Sequence, residues 1–221
     1  MDISAALAQT ASYGGFFALT VGGDAAGWHP VGQSYADGCA DLIDATVARY
    51  HTTDLRIGAS LVHLSHATRL WSPVLACAIG HGVIPDLDDL HRADGGAQLR
   101  LPKPVGKPIT SPAPDTLYRT VVGEHLRPLA AGLPVNLAPA LLAGNIASAL
   151  VGAARALLSA RPDLRCAIVE TTQSLLDTGV LAGSGVITGP QLGFRRRSCC
   201  LFYRLPGSSL CGDCVLHRTQ R

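Results

Sequence analysis

The sequence predicts a predominantly helical α+β fold closed by a small cysteine-rich C-terminal module, on three observations. Apolar residues recur at helical spacing through most of the chain. Strand-like alternation is confined to short pieces. Four of the seven cysteines, Cys199, Cys200, Cys211 and Cys214, crowd into the last stretch, "RRRSCCLFYRLPGSSLCGDCVLHRTQR". At 221 residues the chain can build one sizeable core. With 48% hydrophobic and only 15% charged residues, it is expected to be globular.

The elements follow in order. "ADLIDATVARY" sets Ile43, Val47 and Tyr50 on one face of a helix near residues 40–51. "RIGASLVHLSHATRLW" repeats the signal through Leu61, Leu64, Thr68 and Trp71. Ser72 followed by Pro73 fits an N-cap and first helical position, so a new or kinked helix is expected through "VLACAIGH", stopping at Gly82. Residues 92–116, rich in Gly, Pro and Lys, predict an irregular connection in which "AQLRL" is the one short strand. "APALLAGNIASALVGAARALLSA" is helical, with Leu142, Ile146, Leu150 and Leu157 on one face. Pro162 opens a further helix that ends by Gly179. "TGVLAGSGVITGPQLG" is glycine-rich and reads as a linker or loop into the cysteine segment. A mainly helical domain over 1–190 and a cysteine-bearing segment over 191–221 are therefore expected, the second appended to the first or folded back onto it.

Several function classes are set aside. A net charge of +2 does not suggest nucleic acid as a partner. No uninterrupted apolar run of transmembrane length and no basic leader is evident, which points to the cytoplasm, where clustered cysteines serve metals or catalysis more often than disulfides. "GSGVITG" misses the dinucleotide-binding spacing and no P-loop occurs, so an external reductant is expected.

The cysteine spacing is CC-x10-CxxC, with a strand-like "LFYR" and a Pro-Gly turn between the pairs that can bring them together. Soft thiolates select zinc or an iron–sulfur cluster. Cys211-Gly-Asp-Cys214 fits a single zinc ion, with Gly212 easing the turn. Adjacent Cys199 and Cys200 would diverge on an extended strand, so both can ligate only if the backbone bends or the bound object exceeds one ion. On spacing alone a cluster ranks ahead of zinc, and a redox dithiol third.

This arrangement resembles the FhuF family of ferric-siderophore reductases. "RLWSPVLACAIGHGVIPDL" (69–87) resembles the actinobacterial branch of that family, and "LLAGNIASAL" (141–150) the Gly-Asn segment shared with siderophore synthetases. A synthetase itself is disfavoured, since no ATP-binding region precedes that segment. The resemblance implies that Cys199, Cys200, Cys211 and Cys214 hold a 2Fe-2S cluster as an iron-sulfur module. It also implies one-electron reduction of a ferric siderophore, releasing ferrous iron. The implied partners are the siderophore and a ferredoxin or flavoprotein donor, with peripheral association at a membrane importer compatible with such a role. Arg195, Arg196, Arg197 and Arg204, with Arg218, are candidates to favour the reduced cluster and to receive an anionic siderophore or acidic donor. The rivals are a ferredoxin-like carrier and a zinc-stabilised binding module.

Other residues have structural readings. His63 and His66 lie three apart on a helix without a nearby carboxylate motif and are read as structural. Cys39, Cys77 and Cys166 are read as small buried hydrophobes, Trp28 and Trp71 as core or pocket walls. Asp213 is a turn residue, and Asn145, if buried, needs a hydrogen-bond partner.

Overall fold

A computed structural model describes residues 1–216. In chain order the elements are α1 (Ser4–Ala11), β1 (Thr20–Val21), β2 (Trp28–Pro30), α2 (Val31–Ala36), α3 (Ala40–Arg49), α4 (Leu55–His81), β3 (Val83–Pro85), β4 (His91–Ala93), β5 (Leu99–Leu101), β6 (Gly106–Pro108) and α5 (Pro114–Tyr118). A π-helical segment, Arg119–Leu126, follows, then α6 (Arg127–Gly132), α7 (Pro139–Ala160), α8 (Arg165–Leu176), β7 (Gly185–Thr188) and β8 (Gly193–Arg196). The fold is α+β and predominantly helical, as the periodicity predicts.

At its centre α4 packs along α7. Asp54 caps α4 by accepting a hydrogen bond from the Arg56 N–H, and Gly82 ends it in the left-handed region with φ 63°. Of the new or kinked helix expected at Ser72-Pro73, no new helix starts there: α4 continues through Pro73. Proline withholds one backbone donor there, while Ser72 Oγ bonds back to the Thr68 carbonyl at 2.8 Å. Of the face the sequence predicts, only Trp71 is fully buried. Leu61, Leu64 and Thr68 are half-buried, whereas Val62, His63, His66, Ala67 and Leu70 are buried. A helix enclosed on most sides carries little period to read.

α7 has the length and composition to cross a bilayer, but 72% of its apolar window is buried inside the fold. Its mate α4 supplies much of that cover.

The connection after α4 contains more strand than "AQLRL" alone. One sheet has the order β1-β5-β4-β2, with β1 parallel to β5 and the other pairs antiparallel. β3 and β6 form a separate antiparallel ribbon. Arg92 ties this region to α3 through a bidentate pair with Asp41 at 2.9 and 3.1 Å.

The glycine-rich stretch expected as a linker is the β7–β8 hairpin, with Gly185 opposite Arg196. Gly189 takes φ 85° in its turn. β8 packs on α7, and Leu192, Phe194, Leu201 and Leu205 join the main core. The cysteine segment is thus folded back onto the helices. Cys39 and Cys77 are buried, but Cys166 is exposed. α8 turns Ile168, Thr172 and Leu175 inward, and Cys166, two residues before Ile168, falls on the opposite side. Trp71 is fully buried and Trp28 is half-buried on β2.

Candidate metal centre at the C-terminal cysteines

The chain leaves β8 at Arg196 and bends, so Cys199 and Cys200 do not lie on a strand. Leu201 takes the left-handed conformation, φ 70°, which is costly for a residue with a Cβ. The expected strand in "LFYR" is instead a 3-10 turn, Phe202–Arg204. The Pro206-Gly207 turn forms as expected: Gly207 has φ 68° and Ser208 N–H donates to the Leu205 carbonyl at 3.1 Å. Cys211-Gly-Asp-Cys214 closes a second turn through Cys214 N–H to Cys211 O, 3.1 Å. A Cβ on Gly212 would meet open space, so that turn does not require glycine.

The two cysteine pairs meet through Cys200 and Cys211, whose sulfurs share a hydrogen bond at 3.4 Å. Cys199 Sγ accepts from Leu201 N–H at 3.3 Å, and Cys214 Sγ from Leu216 N–H at 3.4 Å. Each pair thus gives a sulfur a backbone donor two residues on. The Cys200 thiol is held below the ordinary range by its bond to Cys211, by the backbone N–H of Phe202 and by Arg196. Cys211 is pushed up by the same bond and by burial. Cys200 and Cys214 are buried, while Cys199 and Cys211 are half-buried and form the outer edge. Among the described residues no three His, Cys, Asp or Glu side chains gather tightly enough for a single metal ion.

The arginines divide. Arg196 is 1% exposed. Arg195 is half-buried, while Arg197 and Arg204 are exposed, the latter close enough to Cys199 to feel its charge. Arg196 therefore lies inside the fold, unlike Arg197 and Arg204. Arg218 lies outside the described residues.

Beneath the cysteines is a buried polar network. Arg196 Nη2 donates to Asn145 Oδ1 at 2.7 Å and to the Leu141 carbonyl at 3.3 Å. Asn145 Nδ2 donates to Ser60 O and Ser60 Oγ at 2.9 and 3.1 Å, and Ser60 Oγ donates to the Cys200 carbonyl at 2.9 Å. Arg196 N–H also donates to Asp213 O at 3.1 Å, and Ser148 Oγ bonds the Asp213 carboxylate. Asp213 is accordingly a turn anchor. A Cβ on Gly144 would collide with Ser198 Oγ and stand 2.9 Å from Arg196 Nη2. "Gly-Asn" on α7 thus combines room for a guanidinium with an acceptor for it. Ser60 and Ser148 carry no sequence signal of their own; only their helices were legible.

Residues 196–216 match the FhuF 2Fe-2S C-terminal domain. All four clustered cysteines lie inside the matched stretch, and the FhuF domain implies a 2Fe-2S cluster. No curated protein and no solved structure matches the chain. The donor set fits such a cluster: four thiols in two pairs, backbone donors to sulfur in each, and a buried cation beside Cys200 for an anionic group. Over those residues the chain is similar to an iron–sulfur segment of the FhuF kind.

A second polar cluster went unseen in the sequence. Tyr35 Oη lies 2.7 Å from His66 Nε2 and 3.0 Å from His125 Nδ1, all three buried. Tyr35 and His125 line a cavity of about 700 Å³. His63 is fully buried with neither ring nitrogen bonded. Burial pushes His63 down to about 4, His66 to about 3 and His125 to about 4. Both His63 and His66 are enclosed, and burial keeps their imidazoles neutral.

Proposed function

We propose that this protein reduces ferric siderophores in the cytoplasm, one electron at a time, and so releases ferrous iron. Cys199, Cys200, Cys211 and Cys214 are the ligands of a 2Fe-2S cluster in this reading. The observation that carries it is the exposure gradient of the thiols: Cys200 and Cys214 are buried, while Cys199, beside Arg204, and Cys211 are half-buried. When bound, the cluster would supply one-electron chemistry between an external ferredoxin or flavoprotein donor and the chelated ferric ion. Oxygen-donor chelators hold ferrous iron far less tightly than ferric, so the electron alone is the release step and no bond of the siderophore need break.

The chain's own residues do the rest. Ser60 and Asp213 fix the two cysteine turns, and α4 and α7 keep water from the inner sulfurs. Exposed Arg197 and Arg204 attract an anionic chelate or an acidic donor to the outer edge. Association beside a membrane importer would bring the chelate to that edge.

The test is anaerobic purification followed by visible spectroscopy, iron, sulfide and zinc analysis, and turnover of a ferric chelate with dithionite. Red-brown protein with about two irons and two sulfides per chain that bleaches and reduces the chelate supports the proposal. A colourless chain holding zinc would turn the thiols into a structural staple. A cluster that bleaches but does not pass electrons to the chelate would leave a ferredoxin-like carrier.

A further inference from the structure

Arg196 is the feature of the fold most in need of a counter-charge. Its side chain is 1% exposed, its guanidinium bonds two neutral oxygens, Asn145 Oδ1 and Leu141 O, and its Nε has no partner. Among the described residues no carboxylate lies within ion-pair distance of it. A buried cation without a counter-ion is strongly unfavourable. The Cys200 carbonyl lies at the far end of its hydrogen-bonded chain, reached through Asn145 and Ser60.

From this we infer that Arg196 is the internal counter-ion of the cluster and sets its reduction potential, with Asn145 and Ser60 as positioning residues that hold it. The inference rests on the reading that the four cysteines carry a 2Fe-2S cluster. Four thiolates, two sulfides and two ferric ions sum to a dianion, and reduction adds one more negative charge. A fixed cation in a medium of low dielectric favours the more negative state. It acts more strongly than an exposed arginine, whose field is screened by water and salt. Arg196 is therefore distinguished from Arg197 and Arg204, which face solvent. Its anchoring is also distinctive. Its backbone N–H holds Asp213, next to Cys214, while its guanidinium reaches Cys200 through Asn145 and Ser60, so one residue braces both cysteine turns.

The test is a redox titration of the purified holoprotein, followed by visible spectroscopy, for wild type, Arg196→Met, Arg196→Lys and Asn145→Asp. Arg196→Met removes the charge. Asn145→Asp keeps the volume and sets a carboxylate against the guanidinium, so it neutralises the same charge by a separate route. For both variants the ratio of reduced to oxidised cluster at a given applied potential is expected to fall at least tenfold, a downward shift of about 59 mV for one electron. Arg196→Lys is expected to retain most of the wild-type potential. A purely structural brace would lower cluster occupancy and leave the potential of the occupied fraction unchanged. That result in both Arg196→Met and Asn145→Asp would overturn the inference alone, because the wild-type cluster would still stand. Wild type without a cluster would overturn the inference together with the reading beneath it.

Discussion

The buried histidines make the clearest demand at the scale of single residues. His63, His66 and His125 are held neutral by burial, at about 4, 3 and 4, against about 6.5 in an unfolded chain. Between those limits the unfolded state binds protons that the folded state refuses, so stability rises with pH there and is lost as pH falls. Each histidine contributes a slope of up to about 1.4 kcal/mol per pH unit. Urea unfolding is expected to show stability flat above pH 7 and falling steeply from about pH 6.5 toward 4. In NMR titrations of the native protein, these three imidazoles should show no inflection between pH 5 and 8. A normal inflection near 6.5 from any of them would contradict the burial argument. His66 was legible as one of two histidines on a helix, but its bond to Tyr35, which His125 shares, was not, because residues 35, 66 and 125 are brought together only by tertiary packing.

At the scale of elements, two glycines in α7 separate packing from propensity. Gly144 sits where the helix meets Arg196 and Ser198, whereas a Cβ on Gly152 would meet nothing within 4 Å. Gly144→Ala is expected to destabilise by about 1–3 kcal/mol, as overpacking does, and to impair cluster incorporation by displacing the guanidinium. Gly152→Ala should stabilise by about 0.5–1 kcal/mol, the gain of alanine over glycine inside a helix. Urea midpoints measure both, and equal shifts in the two variants would refute the assigned role of Gly144. The same helix shows what was legible. Its span and apolar character were plain in the sequence, and Asn145 stood out as polar among hydrophobes. Its partners did not, since Arg196 lies 51 residues away. Short strands were the other loss. β3, β4, β6 and the β7–β8 hairpin run only three or four residues each, too short for alternation to separate them from loop.

At the scale of the whole molecule, the spacing of the cysteines was legible as a unit while its attachment was not. The boundary expected between residues 190 and 191 lies in the turn of a hairpin whose two strands pair from Gly185–Arg196 to Thr188–Gly193. Beyond it, Leu192, Phe194, Leu201 and Leu205 are buried in the same core as α4 and α7. Full burial of such side chains is worth about 1.5–3 kcal/mol each. Four of them approach the entire net stability of a typical domain, about 5–15 kcal/mol. A fragment ending at residue 190 would also leave β7 without a partner and Asn145 without Arg196. That fragment is expected to lose cooperative thermal unfolding, bind hydrophobic dyes and aggregate, although it keeps every long helix. The comparison is calorimetry of fragment and full chain under the same conditions. A monomeric fragment with a sharp transition near that of the full chain would show that the helical body stands alone, with the cysteine segment only resting on it. Loss of that transition would mean that the cysteine turns are held by a surface they help to complete, which is how a short segment could keep its thiols oriented with so little regular structure of its own.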